Sequence, residues 1–293
     1  MPGDPTLVVI EPLMTAEARA RLVERFGLDR PLYEQYFIYL RNFLVGDFGD
    51  SFRWKEPVFA TIARKIPNTL FLTASSVSFA YLLAVMLGFI AARRRGQKWD
   101  QILIVGSLVL RAAPVFWTGV LAIMLFSVNL GWLPFRGIRE IGYEATSFFD
   151  KYFNLDFLRH LILPTITLGL FYLASPFLVM RNRLTEVMEE DFVTLIRAKG
   201  LSEFKVTRRA ARNAILPVVT MLGTMIGVSM AGQAVVEEVF TWPGIGRELV
   251  SAIGKRDYPV MQAIFFLVAL SIVTINFIVD LTYAYLDPRI GEG

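Results

Sequence analysis

Five stretches of this chain run for about twenty residues or more with almost no charge. Soluble cores rarely need such runs, whereas a hydrocarbon layer about 30 Å thick requires them. They lie near Leu70–Ala92, Ile102–Val128, Leu161–Met180, Ile215–Val236 and Val260–Leu286. In lipid every backbone N–H and C=O must be satisfied within its own segment, which leaves helices as the economical solution. The sequence therefore predicts an all-α fold, a polytopic membrane helix bundle with five spans.

Charge orients these spans, because short loops rich in Lys and Arg stay in the cytoplasm. Arg93-Arg94-Arg95 and Lys98 follow the first run. Arg181, Arg183, Arg197, Lys199, Lys205, Arg208, Arg209 and Arg212 follow the third. Both loops are expected inside, the loops at 129–160 and 237–259 outside, and the C-terminal tail in the cytoplasm. The net charge of +4 reflects this loop bias and gives no sign of nucleic-acid binding.

Alternation places residues 1–69 outside as a polar segment with neither a signal peptide nor a span ahead of it. The expectation is one more helix before Met1. The chain thus divides into an external helical segment, 1–69, and a transmembrane domain, 70–293, with a cytoplasmic loop at about 181–214. Cysteine is absent, so the external parts fold by packing. Thr15 is placed to cap a helix over Ala16–Phe26 that Gly27 ends, and Pro31 to open another through Phe43. Gly46-Asp47-Phe48-Gly49-Asp50-Ser51 reads as a turn, and Pro57–Ile66 as a short helix on the membrane surface.

The cytoplasmic loop between the third and fourth runs carries apolar residues at helical spacing within a charged sequence. Leu184, Val187 and Met188 prolong one face beyond the membrane, and Phe192, Leu195 and Ile196 resume it after Glu189-Glu190-Asp191. Gly200 interrupts, and Ser202-Glu203 starts a second helix. Periodicity gives helix, turn, helix. It leaves open whether the apolar side meets a protein or lies on lipid headgroups.

The run Asp191-Phe192-Val193-Thr194-Leu195-Ile196-Arg197-Ala198-Lys199-Gly200-Leu201-Ser202, closed by Arg212-Asn213-Ala214-Ile215-Leu216-Pro217, resembles the EAA loop of permeases in the dipeptide, oligopeptide and nickel ABC importer family. Thr194-Leu195-Ile196 stands where the widely shared loop has Glu-Ala-Ala. Ordered similarities continue along nearly the whole chain: Met1-Pro2-Gly3-Asp4-Pro5, Gly27-Leu28-Asp29-Arg30-Pro31-Leu32, Gly46–Ser51, Pro114-Val115-Phe116-Trp117, Leu133-Pro134 with Gly137, Trp242-Pro243-Gly244-Ile245-Gly246, Arg256-Asp257-Tyr258-Pro259 and Asp287-Pro288-Arg289. The early Pro-Gly-Asp-Pro and the late Asp-Pro-Arg resemble the B-type subunit, which in that family has six spans.

The resemblance implies a bacterial inner-membrane permease subunit of an ABC type I importer, paired with a second homologous permease, two ATPase subunits and an extracytoplasmic solute-binding protein, and surrounded by membrane lipid. ATP and Mg would sit on the ATPases. This chain has no Gly-x-x-x-x-Gly-Lys-Ser/Thr loop, and no cofactor or metal is expected on it. The coupling residues implied are Asp191, Phe192, Leu195, Ile196, Arg197, Ala198, Lys199, Gly200 and Leu201, with the three large apolar side chains as anchors in the partner and Gly200 as the turn. The cargo would be a dipeptide, oligopeptide, glutathione or nickel complex.

Other residues are read from position. Arg111 lies roughly 15 Å into its run at the helical rise per residue, where a charge needs water or a partner. It and Pro114, Gln233 and Asn276 are candidates for a translocation path, against structural pairing or helix joining. Gly223, Gly227 and Ala231 form a small-residue stripe suited to helix packing. His160, the one histidine, reads as interfacial. Glu237-Glu238 reads as a solvated helix end, and Trp242 as part of an outer surface fold. An enzyme would cluster His, Asp or Glu near one surface. A secondary transporter or channel with its own energy coupling would commonly show internal repeats. Neither pattern occurs.

Overall fold

The computed structural model describes residues 30–143 and 145–286. The helix expected over Ala16–Phe26 and the tail Asp287-Pro288-Arg289 lie outside the described residues. Among those described, every regular element is a helix: α1 Leu32–Leu44, α2 Val58–Ala63, α3 Ile66–Arg93, α4 Lys98–Ala112, α5 Val115–Ala122, a wide-turned π segment Ile123–Asn129, α6 Phe148–Tyr152, α7 Leu155–Val187, α8 Asp191–Ala198, α9 Glu203–Ala214, α10 Leu216–Gly232, α11 Ala234–Val239, α12 Ile245–Lys255 and α13 Tyr258–Leu286. Two compact units divide the chain, one of Met1–Ile66 with Glu248–Leu267, the other of Pro67–Arg247 with Val268–Gly293.

In the first unit, α1 follows Pro31, whose fixed φ suits a helix start. The expected turn at Gly46–Ser51 is present, with Gly46 and Gly49 at φ +80° and +74°. The loop is held by a buried carboxylate: Asp257 accepts from Ser51 Oγ at 2.6 Å and from the Phe52 and Arg53 N–H groups at 3.2 Å. Glu248 ties a second point, accepting from Trp54 Nε1 at 2.8 Å and Lys65 Nζ at 2.5 Å. Phe43 packs edge-on to Phe48 and Phe266.

In the second unit α7 is the central post. Asn154 caps it by accepting from Phe157 N–H at 2.8 Å, and α4, α5, α9, α10 and α11 all pack on it. More than half of its most apolar window is buried inside the protein (56%), against 11% for the Tyr258–Ile278 part of α13, so that part leaves most of its apolar surface for lipid or another chain. The approach of α3 to α7 is close enough to require glycine: a Cβ on Gly169 would fall 2.4 Å from the Phe79 ring and 3.1 Å from the Ser76 carbonyl. Ser75 and Thr165 hydroxyls meet at 2.8 Å across the same contact.

Three expectations are corrected. The run Ile102–Val128 is not one straight span. It breaks at Ala113-Pro114, and its halves bend by 99°, because proline has no N–H and drives the preceding residue to extended backbone, here ψ 132° at Ala113. The run Ile215–Val236 is divided at Gln233 into α10 and α11. Among the described residues three helices are long and apolar enough to cross a membrane, Val58–Arg93, Leu155–Val187 and Tyr258–Ile278, and the bent pair would supply a fourth. His160, read as interfacial, is buried within the protein. Because α7 begins before Leu161, this side chain enters the packed first turns and is 5% exposed, with Nδ1 2.9 Å from the Asp156 carbonyl and 3.2 Å from its carboxylate.

Candidate coupling face and buried polar node

Past Met180, α7 leaves the apolar run and continues to Val187 as the support of the loop that carries α8 and α9. Its exit is fixed by Arg181, whose Nη2 and Nε grip the buried Asp100 carboxylate at 2.6 and 3.0 Å; such a two-point fork is the strong form of this pair. Arg95 pairs with Glu189 just beyond. The chain then turns into α8, where Asp191 places a negative charge in the first turn.

The apolar residues of α8 divide in a way that periodicity alone did not show. Val193 is fully buried and belongs to the cluster that contains Leu184, Val187, Val206, Ala210 and Ala214. Phe192, Ile196 and Leu201 pack against that cluster and are partly buried. Leu195 alone of the three expected anchors stands out, 65% exposed. Val193 was missed because Phe192, Leu195 and Ile196 were read as the apolar set; its spacing of three from Ile196 was the available signal. Asp191, Arg197, Ala198, Lys199 and Gly200 are exposed.

The turn after α8 rests on Gly200 at φ +72°, where nothing lies within 4 Å of a Cβ position. Conformation, not space, calls for glycine there. Arg197 Nε donates to Glu203 at 3.1 Å across this turn, and α9 follows from Ser202 as expected. Phe204 on α9 meets the Phe89 ring edge-on at 5.7 Å, with the Arg93 guanidinium over both rings. The result is a braced helical hairpin presenting one free leucine.

At the other end of this unit the chain builds a buried polar node. Glu237 is fully buried and accepts from Thr69 Oγ1 at 2.7 Å and from Arg247 N–H at 2.9 Å. Ile245 N–H donates back to Thr69 Oγ1 at 2.8 Å. Gln233 is also fully buried, accepting from Thr73 Oγ1 at 2.9 Å. Asn68 donates to the Pro243 carbonyl at 2.7 Å and accepts from Tyr152 OH at 2.7 Å, and its carbonyl accepts from Trp242 Nε1 at 2.9 Å. A Cβ on Gly244 would fall 2.1 Å from the Glu237 carboxylate.

Two sequence readings are therefore corrected. Glu237 is not a solvated helix end, since the segment 237–247 folds back over the start of α3 and closes on it. Trp242, read as part of a surface fold, is fully buried by the same closure. Glu238 stays exposed, 3.5 Å from Arg247.

The remaining candidates do not converge. Arg111 is exposed two residues ahead of the bend, its guanidinium 6.0 Å from the Phe171 ring. Pro114 caps α5 at the bend. Asn276 is exposed on α13, and Gln233 is locked into the node. Gly223 is buried, while the side-chain surroundings at positions 227 and 231 lie outside those described.

Residues 84–292 match the family described as binding-protein-dependent transport system inner membrane component. The chain belongs to that family. Across 99% of its length it is 40% identical to the Di/tripeptide transport system permease protein DppB of Pseudomonas aeruginosa (strain UCBPP-PA14), covering 90% of that protein. It is 38% identical to the Oligopeptide transport system permease protein AppB of Bacillus subtilis (strain 168) and to the Glutathione transport system permease protein GsiC of Escherichia coli (strain K12), with the same coverage. Its fold is similar to a chain of the MetNI methionine ABC transporter in inward-facing conformations, with TM-score 0.59, 17% identity, and 78% of this chain and 97% of that one covered. This inner membrane component is thus a transport permease, not an enzyme, built from several membrane-spanning helices.

Proposed function

We propose that this permease is the B-type half of an ATP-driven importer for peptides or related small solutes. A solute-binding protein delivers the cargo from outside, and a second homologous permease completes the pathway. Two ATPase subunits, carrying ATP and Mg, close on nucleotide and move the spans through the α8 hairpin. The observation that carries this reading is Leu195, an exposed apolar side chain on a short helix braced by Val193, Arg197–Glu203 and the Gly200 turn. A large apolar group on a rigid support, rimmed by Asp191, Arg197 and Lys199, suits a protein groove. A lipid-facing helix would carry a wider apolar stripe.

The bend at Pro114, with Arg111 beside it, is the proposed lining of the path, and Asn276 a second polar position along it. The names of the relatives support peptides as cargo.

Uptake in inner-membrane vesicles containing all the subunits tests this directly. Leu195→Asp is expected to abolish coupled uptake and to weaken ATPase co-purification while membrane insertion stays intact. Uptake at the unsubstituted rate would remove the coupling assignment. Arg111→Ala is expected to lower uptake of a free dipeptide more than that of its C-terminal amide; an equal change for both would end the recognition role.

A further inference from the structure

The loop between the π segment and α7 holds a guanidinium whose two terminal nitrogens have no hydrogen-bond acceptor. Arg139 donates through Nε to the Lys151 carbonyl at 3.0 Å, yet Nη1 and Nη2 are both enclosed and have no acceptor among the described residues. Buried donors are nearly always satisfied, and a charged pair left open calls for an ion or water.

The neighbours increase the demand for an anion. Lys151 is half-buried beside Arg139 with Nζ 5.1 Å from the Tyr152 ring. Burial first, and the Arg139 charge second, push its pKa below the ordinary lysine value. No acid forms an ion pair with either cation among the described residues. The adjacent acid, Asp150, is already engaged: it accepts from Tyr143 OH and from Thr146 N–H at 3.0 Å and Thr146 Oγ1 at 3.4 Å.

Access is through one ring. Tyr143 covers the guanidinium at 4.2 Å and is itself 49% exposed. It also lines an open cavity of about 510 Å³ with Glu140, Asp156 and Arg159. Next to it Gly142 turns the backbone at φ +92°. Moving the Tyr143 side chain would join the guanidinium tip to the cavity.

We propose that Arg139, assisted by Lys151, is a carboxylate seat, taking the carboxylate of a small solute in the two-pronged geometry that Nη1 and Nη2 offer. The seat needs no ATPase and does not depend on the coupling hairpin, so it stands or falls apart from the uptake mechanism.

The test uses the purified full chain in detergent. Its unfolding temperature is titrated with sodium acetate against sodium chloride at equal ionic strength, and with dialanine against dialanine amide. Acetate and dialanine are expected to stabilise saturably, and chloride and the amide not. Arg139→Met should weaken the apparent dialanine affinity about tenfold or more, and Lys151→Gln less. Should Arg139→Met fail to fold, acetate protection of Arg139 against phenylglyoxal in the unsubstituted chain, read by mass spectrometry, gives the same answer.

No difference between acetate and chloride would overturn the seat. A response to acetate with dialanine and its amide alike would overturn the solute assignment and leave a docked protein's acidic side chain as the source. A response that appears only in Glu144→Gln would also overturn it, since the loop's own carboxylate would then be the occupant.

Discussion

The α8–α9 hairpin and the buried polar node belong to one compact unit and are held by opposite means. The hairpin hangs on apolar burial at Val193, with its charges at the surface: Arg197 and Glu203 are 42% and 61% exposed. The node is the reverse, a set of fully buried polar groups, Glu237, Gln233 and Thr69 among them, each answered by a neighbour. Surface pairs tolerate change because water replaces a lost partner. Buried polar groups do not, because removing one partner strands the other. The hairpin can therefore offer a side chain to another protein at little risk to the fold, whereas the node fixes where α3 and the segment 233–247 stay together.

Substitutions that separate the two regions should differ in kind. The largest effect is expected for Gly244→Val, which drives a side chain into the Glu237 carboxylate and should cost more than about 3 kcal/mol, read as loss of folded protein in detergent. A normal yield and unfolding temperature would show that the node is loosely packed. Glu237→Leu orphans the Thr69 hydroxyl and the Arg247 N–H, at about 1–3 kcal/mol for each stranded group, and the same thermal measurement should register it.

Gly200→Val should behave differently. The positive φ costs roughly 1–2 kcal/mol for a side-chain-bearing residue, tolerable for folding. Coupled uptake should nevertheless fall to background, because the turn that aims α8 is lost. Uptake that survives would move the functional weight from the hairpin's shape to its sequence. The smallest effect is expected for Arg197→Ala, below about 1 kcal/mol in stability and with most transport retained. A large loss there would mean that this arginine bonds a partner subunit in addition to Glu203.

Legibility followed the same divide. The α8–Gly200–α9 hairpin was readable because amphipathic spacing, a glycine and a Ser-Glu start are local signals, and the helix after Pro31 and the turn at Gly46–Ser51 were readable for the same reason. Within the hairpin, however, spacing could not tell which apolar residue the chain uses itself: Val193 turned inward and Leu195 outward. The node was illegible. Glu237 and Trp242 carry the types that ordinarily mark a wet helix end and a membrane interface, and only the return of the chain over Asn68 and Thr69 buries them. Pro114 stands inside the second apolar run, but a hydropathy run has no means of reporting a 99° turn.

By itself the sequence determined a helical membrane protein, the α8–α9 hairpin and the absence of a nucleotide loop, since long apolar runs, helical periodicity and short motifs act within a few turns of chain. Tertiary structure alone decided that α7 is the central post, that Glu237 and Trp242 are core, and that Leu195 is the side chain left free. Those outcomes depend on which segments distant in sequence close on one another, and no local pattern encodes that closure.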